Sequence, residues 1–207
     1  MLSRVVRAAV FVAAMLSLSP ALAETIASAT TSFDVDKCAH RKGREVEDYG
    51  AWRCPGYAGI AVVMTAGDQR IYVSYGGRAR REVAAGETLA AFNGEGKTIE
   101  WRITRATGGA SRPFATIMRW STTRVVDEAV AKDGIYRGQV LVVTRLGPGG
   151  VCHVGYVDGR ENADANDLAR RIADQHARTF RCGEDKPIVL GRKGPGFSPP
   201  YRPGTAE

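Results

Sequence analysis

The sequence predicts an α+β domain in which about seven antiparallel strands form a twisted sheet or partial barrel, with one C-terminal amphipathic helix packed on it. Three observations support this class. Residues 97–104 alternate between apolar and polar side chains, as a strand with one buried face does. Several short apolar runs follow one another between Gly-containing turns. Residues 163–180 repeat their apolar side chains with the period of a helix.

The first 23 residues have the composition of a secretory signal peptide. Arg4 and Arg7 precede an apolar run over 8–16, which is too short to cross a bilayer. Small side chains then form a cleavage site, and we expect the cut between Ala23 and Glu24. The chain beyond the cut has no apolar stretch long enough for a transmembrane span. These features predict a periplasmic or secreted bacterial protein.

Composition divides the remaining chain into three parts. Residues 24–37 are rich in Ser, Thr and Ala and are expected to form a flexible lead-in. Residues 38–190 contain all four cysteines and are expected to form a single disulfide-bonded α+β domain. Eight of the fourteen residues over 191–204 are Gly or Pro, which predicts a disordered tail over 191–207.

The first part of the domain is expected to contain a disulfide-tied loop or short hairpin over 38–56. Two apolar runs over 58–64 and 70–75 then predict a hairpin, because a Gly-Asp turn signal lies between them. The arginine-rich stretch 78–82 after this hairpin is expected to form a loop or an exposed sheet edge.

The dipeptide Asn93-Gly94 is a strong signal for a tight hairpin turn between strands over 89–92 and 97–104. The second strand places its apolar side chains on one face. Its polar side chains, which include Glu100 and Arg102, lie on the other face, and we expect that face to be exposed to water.

Three further strands are predicted over 114–120, 140–143 and 151–157, while 125–133 fits either a short helix or a strand. The strand over 140–143 is apolar on both faces and is therefore expected to be central. Alternation places three large side chains of the first strand on one face: Phe114, Met118 and Trp120. It places three side chains of the last strand on the face toward the helix: Cys152, Val154 and Tyr156.

The four cysteines form an even set in a chain that is expected to enter an oxidising compartment, which favours two disulfides. Three connectivities are possible, and we prefer Cys38–Cys54 with Cys152–Cys182 because each pair closes a local loop. A zinc site is disfavoured because the nearest two cysteines are sixteen residues apart.

The predicted helix over 163–180 begins with acidic and ends with basic side chains, which suits the helix dipole. His176 falls within its apolar stripe, between Ile172 and Phe180. Two interpretations remain open for this imidazole. It is a core histidine bonded to a buried partner, or it is a general base that faces a pocket between helix and sheet.

The segments Val151–Asp158, Asn162–Asn166 and Leu168–Arg170 resemble a group of uncharacterised small secreted proteins of Gram-negative bacteria. The resemblance covers roughly residues 138–190. It implies a secreted or periplasmic location and one domain, and it implies no activity, cofactor or catalytic residue.

Basic residues exceed acidic ones, and the chain carries a net charge of +5 once Arg4 and Arg7 are removed with the signal peptide. Arg78, Arg80 and Arg81 form a basic cluster after a predicted strand. Such a cluster either attracts anionic polymers and phosphates of the cell envelope or is a solvated surface. Aromatic side chains are not interleaved with it in the way that single-strand nucleic-acid binders require, so no specific nucleic-acid binding is expected.

The sequence contains no nucleophile motif and no phosphate-binding loop. His153 is expected on the sheet face opposite Cys152, away from His176, so the histidines are not expected to share a metal ion. We therefore expect neither a cofactor nor a metal.

These observations favour a non-enzymatic accessory protein that binds an envelope component, either a protein or an anionic glycan or lipid head group. One alternative is a small secreted hydrolase with His176 as its general base. Another is a structural or stress-related envelope protein without a specific ligand. No pattern predicts the oligomeric state.

Overall fold

The computed structural model describes residues 25–43, 48–105 and 111–203. The predicted signal peptide and its cut lie outside the described residues. The described ranges contain one α-helix, α1 (Ala165–His176), and thirteen strands. The strands are β1 (Thr25–Ser32), β2 (Ala39–Arg41), β3 (Asp48–Cys54), β4 (Val62–Gly67), β5 (Arg70–Tyr75), β6 (Thr88–Leu89), β7 (Phe92–Gly94), β8 (Thr98–Arg105), β9 (Arg112–Val125), β10 (Ile135–Arg145), β11 (Cys152–Asp158), β12 (Ile188–Leu190) and β13 (Pro200–Tyr201).

The strands form three open sheets in the part of the chain that the structure describes. The large sheet has the order β1-β8-β9-β10-β11-β12, with β7 paired to β9. Its pairs are antiparallel except β11 with β12, which is parallel because α1 provides the crossover between them. Strands β2 to β5 form a four-stranded antiparallel sheet, and β6 pairs with β13. The predicted α+β class with one helix is confirmed, but the single antiparallel sheet is replaced by a mixed sheet and two smaller ones.

The large sheet is the middle of three layers. One core lies between it and the four-stranded sheet, and it includes Trp101, Trp120 and Met64. A second core lies between the other face of the large sheet and α1, where Leu168 and Ile172 are buried. Strand β10 contributes to both cores, as the continuous apolar run over 140–143 predicts. At about 25 cal/mol per Å² of apolar surface, burial of these two faces is the main stabilising contribution to the fold.

The register of β10 with β11 shifts between Val143 and Thr144, so that Val154 has no partner of its own on β10. This bulge reverses the alternation of the strand. Tyr156 therefore lies in the core between the two sheets, and not toward the helix with Cys152 and Val154 as predicted.

A second bulge has the same effect on β9. The register of β8 with β9 shifts between Arg102 and Ile103, which leaves Phe114 as the extra residue. Phe114 consequently packs on the helix side, while Met118 and Trp120 lie in the core between the sheets. The prediction that these three side chains share one face is wrong for Phe114.

Two segments that composition predicts to be irregular are ordered parts of the fold. Strand β1 occupies most of the predicted flexible lead-in over 24–37, because it pairs along its whole length with β8. The described part of the predicted tail, up to residue 203, is held by long-range bonds, and 204–207 lie outside the described residues. The Gly194 N–H donates to Asp158 Oδ2 at 3.0 Å, and the buried Ser198 Oγ accepts from the Ala91 N–H at 2.8 Å. These bonds replace the local structure that a Gly/Pro-rich sequence cannot form.

Asn93 and Gly94 do not form the predicted hairpin turn, because they lie within β7, which pairs with β9. The Asn93 side chain accepts a hydrogen bond from the Ile71 N–H at 3.0 Å and donates to the Ala91 carbonyl at 2.8 Å. Its amide thus connects two segments of chain. Residues 126–134 form a turn and not the helix or strand that 125–133 allowed.

The polar face of β8 is covered by α1 and is not exposed to water as predicted. Arg102 donates to Asp174 at 2.8 and 2.6 Å, and Arg170 donates to Glu100 at 2.8 Å. Burial acts to raise the pKa of Glu100, but the bonds from Arg170 and Ser28 outweigh it and hold that pKa below its usual value. Complementary charges on sheet and helix make this contact possible.

Both preferred disulfides are present. Cys38–Cys54 joins the residue before β2 to the end of β3, and Cys152–Cys182 joins β11 to the segment after α1. The second bond attaches the end of the helical segment to the large sheet, as expected.

Candidate basic groove

A groove with a volume of about 750 Å³ lies between the four-stranded sheet and the chain that follows β5. This size falls within the range of small-molecule sites, about 300–1,000 Å³. Five arginines from two separate parts of the chain line it: Arg41, Arg53, Arg78, Arg80 and Arg81. We refer to this feature as the basic groove.

The first wall of the basic groove is the β2–β3 hairpin. Arg41 pairs with Ala51, and Arg53 pairs with Ala39, so the two arginines lie diagonally on the same face of the sheet. The disulfide at Cys38 closes the hairpin one residue from the second pair. Covalent closure and strand pairing together position both arginine side chains at the groove.

Gly50 allows the end of this hairpin to close. Its φ is +124°, and a Cβ atom at this position would lie 2.5 Å from the Arg41 carbonyl oxygen. A side chain there would push the β2 strand away from β3. Gly50 therefore contributes indirectly to the position of Arg41.

The second wall is a short 3₁₀ turn over Ala79–Arg81. Gly76, with φ +92°, redirects the chain out of β5, and its N–H donates to the Ala61 carbonyl at 2.8 Å. Ala79 is buried, while Arg78 and Arg80 on either side of it are exposed. The Ala79 methyl group is therefore buried in the protein, while the arginines beside it are accessible to solvent.

Two glutamates fasten this turn to the large sheet. Glu82 Oε2 accepts from the Val151 N–H at 3.0 Å, and Glu87 Oε2 accepts from the His153 N–H at 2.6 Å. Glu87 also accepts from Arg202. Glu82 and Glu87 follow the arginine cluster closely in sequence, but their Oε2 atoms are engaged by β11 and its lead-in. They therefore position the second wall and do not line the groove.

Small side chains keep the groove open. The lining includes five small or medium-sized apolar residues, three of which belong to the two walls: Ala39, Ala51, Val63, Gly77 and Ala79. Larger side chains at these positions would fill the space that separates the arginines. The result is an apolar floor with a charged rim.

Among the described residues, no acidic side chain compensates the charge of the groove arginines. Within the described residues, none of the five side chains forms a hydrogen bond or an ion pair, and no acidic residue lines the groove. Arginine is ionised at every physiological pH, so five positive charges lie around one cavity. Each guanidinium retains its full set of five donors for a ligand.

A stacked aromatic pair is part of the groove lining. The His40 and Trp52 rings, which are cross-strand partners, lie 4.6 Å apart between centroids with an angle of 17° between their planes. Trp52 packs against the core between the sheets, whereas His40 is exposed. The pair stiffens the strand edge beside Arg41 and Arg53.

A smaller cleft of about 100 Å³ continues from the groove. It shares Arg41, Ala51 and Arg80 with the groove and adds Lys42 and Gly43. The basic lining therefore extends beyond the main cavity in one direction.

His176 does not line the basic groove. It is half-buried at the last residue of α1, and its carbonyl oxygen accepts from the Phe180 N–H at 3.0 Å. Among the described residues, no carboxylate lies within hydrogen-bond distance of its imidazole. The structure thus places the candidate base in the packed helix end without the partner that would orient it for proton transfer.

His153 belongs to a fully buried cluster. Its Nδ1 lies 2.9 Å from the Tyr156 hydroxyl, and its ring meets the Trp120 ring edge-on at 5.6 Å. Burial lowers the pKa of His153, opposed by the charge of Glu87, and burial raises the pKa of Tyr156. The Nε2 atom of His153 has no hydrogen-bond partner among the described residues. This cluster is sealed in the core and takes no part in the groove.

In the ranges 25–43, 48–105 and 111–203, no group of three His, Cys, Asp or Glu side chains could hold a metal ion. In the same ranges, no helix is long and apolar enough to cross a membrane.

Of the residues that the sequence proposed for anion binding, Arg78, Arg80 and Arg81 all line the basic groove. Sequence reasoning missed Arg41 and Arg53. The predicted Cys38–Cys54 disulfide could have indicated them. A bond between these cysteines fixes the register of the two strands, and that register places Arg41 and Arg53 on the same face.

No protein-family profile matches the chain, and neither the curated proteins nor the solved structures gave a match. Functional inference therefore depends on the geometry of the basic groove.

Proposed function

We propose that this protein is a non-enzymatic accessory protein of the bacterial cell envelope that binds an anionic envelope component in the basic groove. The observation that carries this proposal is the set of five arginines around one cavity, none of which has a partner within the described residues. Unpaired like charges repel one another, so bringing them together costs free energy that an anionic ligand recovers.

The fold supports a binding role for this surface. The two walls are held by a disulfide, by strand pairing and by the bonds of Glu82 and Glu87. A site whose backbone is fixed before binding loses little conformational entropy when the ligand arrives. Weak surface attraction alone would not need such a scaffold.

The disulfides and the N-terminal sequence pattern support the proposed location. Two disulfides that close separate loops are typical of proteins in oxidising compartments. The N-terminal pattern predicts export, so we propose a periplasmic or secreted location. This places the basic groove among anionic glycans and lipid head groups of the envelope.

Co-sedimentation with isolated envelope fractions tests this function. The protein, expressed from the full-length sequence, is mixed with envelope fragments at low and high salt. We expect retention at low salt that weakens at high salt, because exposed arginines are screened by ions. The variant R78E/R80E/R81E is expected to lose retention.

The control is K132E/R160E/K186E, which makes the same change in net charge at exposed positions away from the groove. Retention of this control with loss of the groove variant supports the proposal. Equal loss in both variants would show that net charge and not the groove causes retention, and no retention of the unaltered protein would reject the function.

A further inference from the structure

The basic groove has properties that select among anions. We propose that its ligand is a phosphorylated sugar, a ring that carries several phosphate groups, rather than a carboxylated glycan. This inference rests on the proposed function and narrows it to one ligand chemistry. A lipid head group and a soluble sugar phosphate share that chemistry.

The density of positive charge in the groove favours phosphate over carboxylate. Five guanidinium groups surround about 750 Å³. A phosphate monoester carries about −1.5 to −2 charges near neutral pH, and a carboxylate carries one. About three phosphates therefore balance the site, whereas carboxylates would require about five groups in the same volume. A compact ligand meets this condition more easily with phosphate.

The guanidinium donors come from two walls of the groove, which also favours phosphate. Arg41 and Arg53 come from the sheet wall, and Arg78, Arg80 and Arg81 come from the opposite turn. A carboxylate has two oxygens in one plane and matches a single guanidinium fork. A phosphate monoester has three oxygens that point in different directions, so one group can accept from arginines on both walls.

The apolar lining of the groove favours a ligand that contains a sugar ring. Small apolar side chains, among them Ala39, Ala51 and Ala79, line the space between the arginines. A sugar ring can place the C–H groups of one face on such a floor while its substituents reach the rim. The smaller cleft at Lys42, which shares Arg41 and Arg80 with the groove, gives a further substituent a second basic position.

Isothermal titration with two matched probes tests the inference. Inositol 1,4,5-trisphosphate carries about −5 charges on a six-membered ring, and benzenehexacarboxylate carries about −6 on a ring of the same size. We expect the trisphosphate to bind at least tenfold more tightly although its charge is lower. Equal or tighter binding of the hexacarboxylate would overturn the inference.

Variants connect the affinity to the groove. R41Q/R80Q removes two arginines that line both cavities, and we expect about a 100-fold loss of trisphosphate affinity, about tenfold for each charge-assisted contact. R41K/R80K keeps the charge but removes the fork, and about a tenfold loss is expected. The control K132Q/R160Q should bind as the unaltered protein does. Circular dichroism spectra verify that each variant is folded.

Vesicles distinguish the two sources of phosphate. Retention on phosphatidylcholine vesicles that contain phosphatidylinositol 4,5-bisphosphate, whose head group is a ring with several phosphates, assigns the site to lipid head groups when the trisphosphate displaces the protein. Trisphosphate binding without vesicle retention assigns it to soluble sugar phosphates, and both outcomes support the inference. If neither phosphate probe binds while envelope retention still depends on the groove arginines, the inference fails and the proposed function stands. If envelope retention is also absent, both fail.

Discussion

Two groups of arginines in this protein have opposite surroundings. At the contact between the large sheet and α1, Arg102 and Arg170 are paired with Asp174 and Glu100. In the basic groove, none of the five arginines has a partner within the described residues. The same side chain thus contributes to stability in one region and is left available for a ligand in the other.

The two groups of arginines should respond differently to substitution. A paired, mostly buried arginine is costly to remove because its partner remains without compensation. Substitution of an exposed, unpaired arginine changes the free energy of unfolding little, and it can raise that free energy slightly by relieving repulsion. Stability measurements should therefore detect the first group, and binding measurements should detect the second.

The largest expected effect comes from the two disulfides. The variant C38S/C54S opens a loop of sixteen residues and C152S/C182S one of thirty, and each loss is expected to reduce the free energy of unfolding by about 3–4 kcal/mol. Urea unfolding measures both. Envelope retention should fall in C38S/C54S because that bond positions Arg53, and folded C152S/C182S should retain its binding. Similar binding in both variants would contradict the link between disulfide and groove.

Removal of a paired arginine should be the next largest effect. Arg102→Met leaves Asp174 without its bidentate partner, and we expect a loss of about 2–3 kcal/mol in the free energy of unfolding. Arg171→Met, at an exposed position of α1, serves as the control and should change stability by less than about 0.5 kcal/mol. Envelope retention should be the same in both variants. A stable R102M protein would show that the pair adds nothing to the fold.

Stability should also depend on pH through His153. Because burial lowers its pKa in the folded state, the unfolded chain takes up a proton first as the pH falls below about 6.5. The free energy of unfolding is therefore expected to fall with pH between about 6.5 and 5.5, by at most about 1.4 kcal/mol for each pH unit. Urea midpoints across this range measure the slope. His153→Asn should remove it, and His176→Asn should retain it.

The smallest stability effect is expected in the groove. Arg80→Gln removes an exposed side chain that has no partner in the described part of the chain, so the free energy of unfolding should change by less than about 0.5 kcal/mol. Thermal unfolding at low salt measures this change, and a slight increase in stability fits the relief of repulsion. Strong destabilisation would show that Arg80 stabilises the fold as Arg102 and Arg170 do, and it would contradict the distinction between the two groups of arginines.

Much of the local structure could be predicted from the sequence. The alternation over 97–104, the apolar run over 140–143 and the cysteine spacing predicted β8, the central position of β10 and both disulfides. These features are local or depend on a small number of closely spaced residues.

The features that could not be predicted depend on contacts between distant parts of the chain. Strand β1 forms because β8, about seventy residues away, provides its partner. The bulges at Val154 and Phe114 change which face a side chain occupies, and no local pattern indicates them. The tail is ordered by Asp158 and Asn162, which lie before α1.

The candidate site shows the same division. Arg78, Arg80 and Arg81 were recognised because they are adjacent in sequence. Arg41 and Arg53 could have been placed on one face from the disulfide register, but their approach to the 3₁₀ turn is a tertiary contact. The interaction of Glu82 with the Val151 N–H, which leaves the arginine cluster unneutralised, also required the three-dimensional structure.

The most direct test of the central claim is a two-dimensional amide NMR titration of the protein with inorganic tripolyphosphate. We expect saturable shifts confined to residues 39–43, 50–53 and 76–81, with little change in α1 or at Arg102. Shifts spread over all basic surfaces, or centred on the helix side of the large sheet, would contradict the claim that the unpaired arginines of the groove form the binding site.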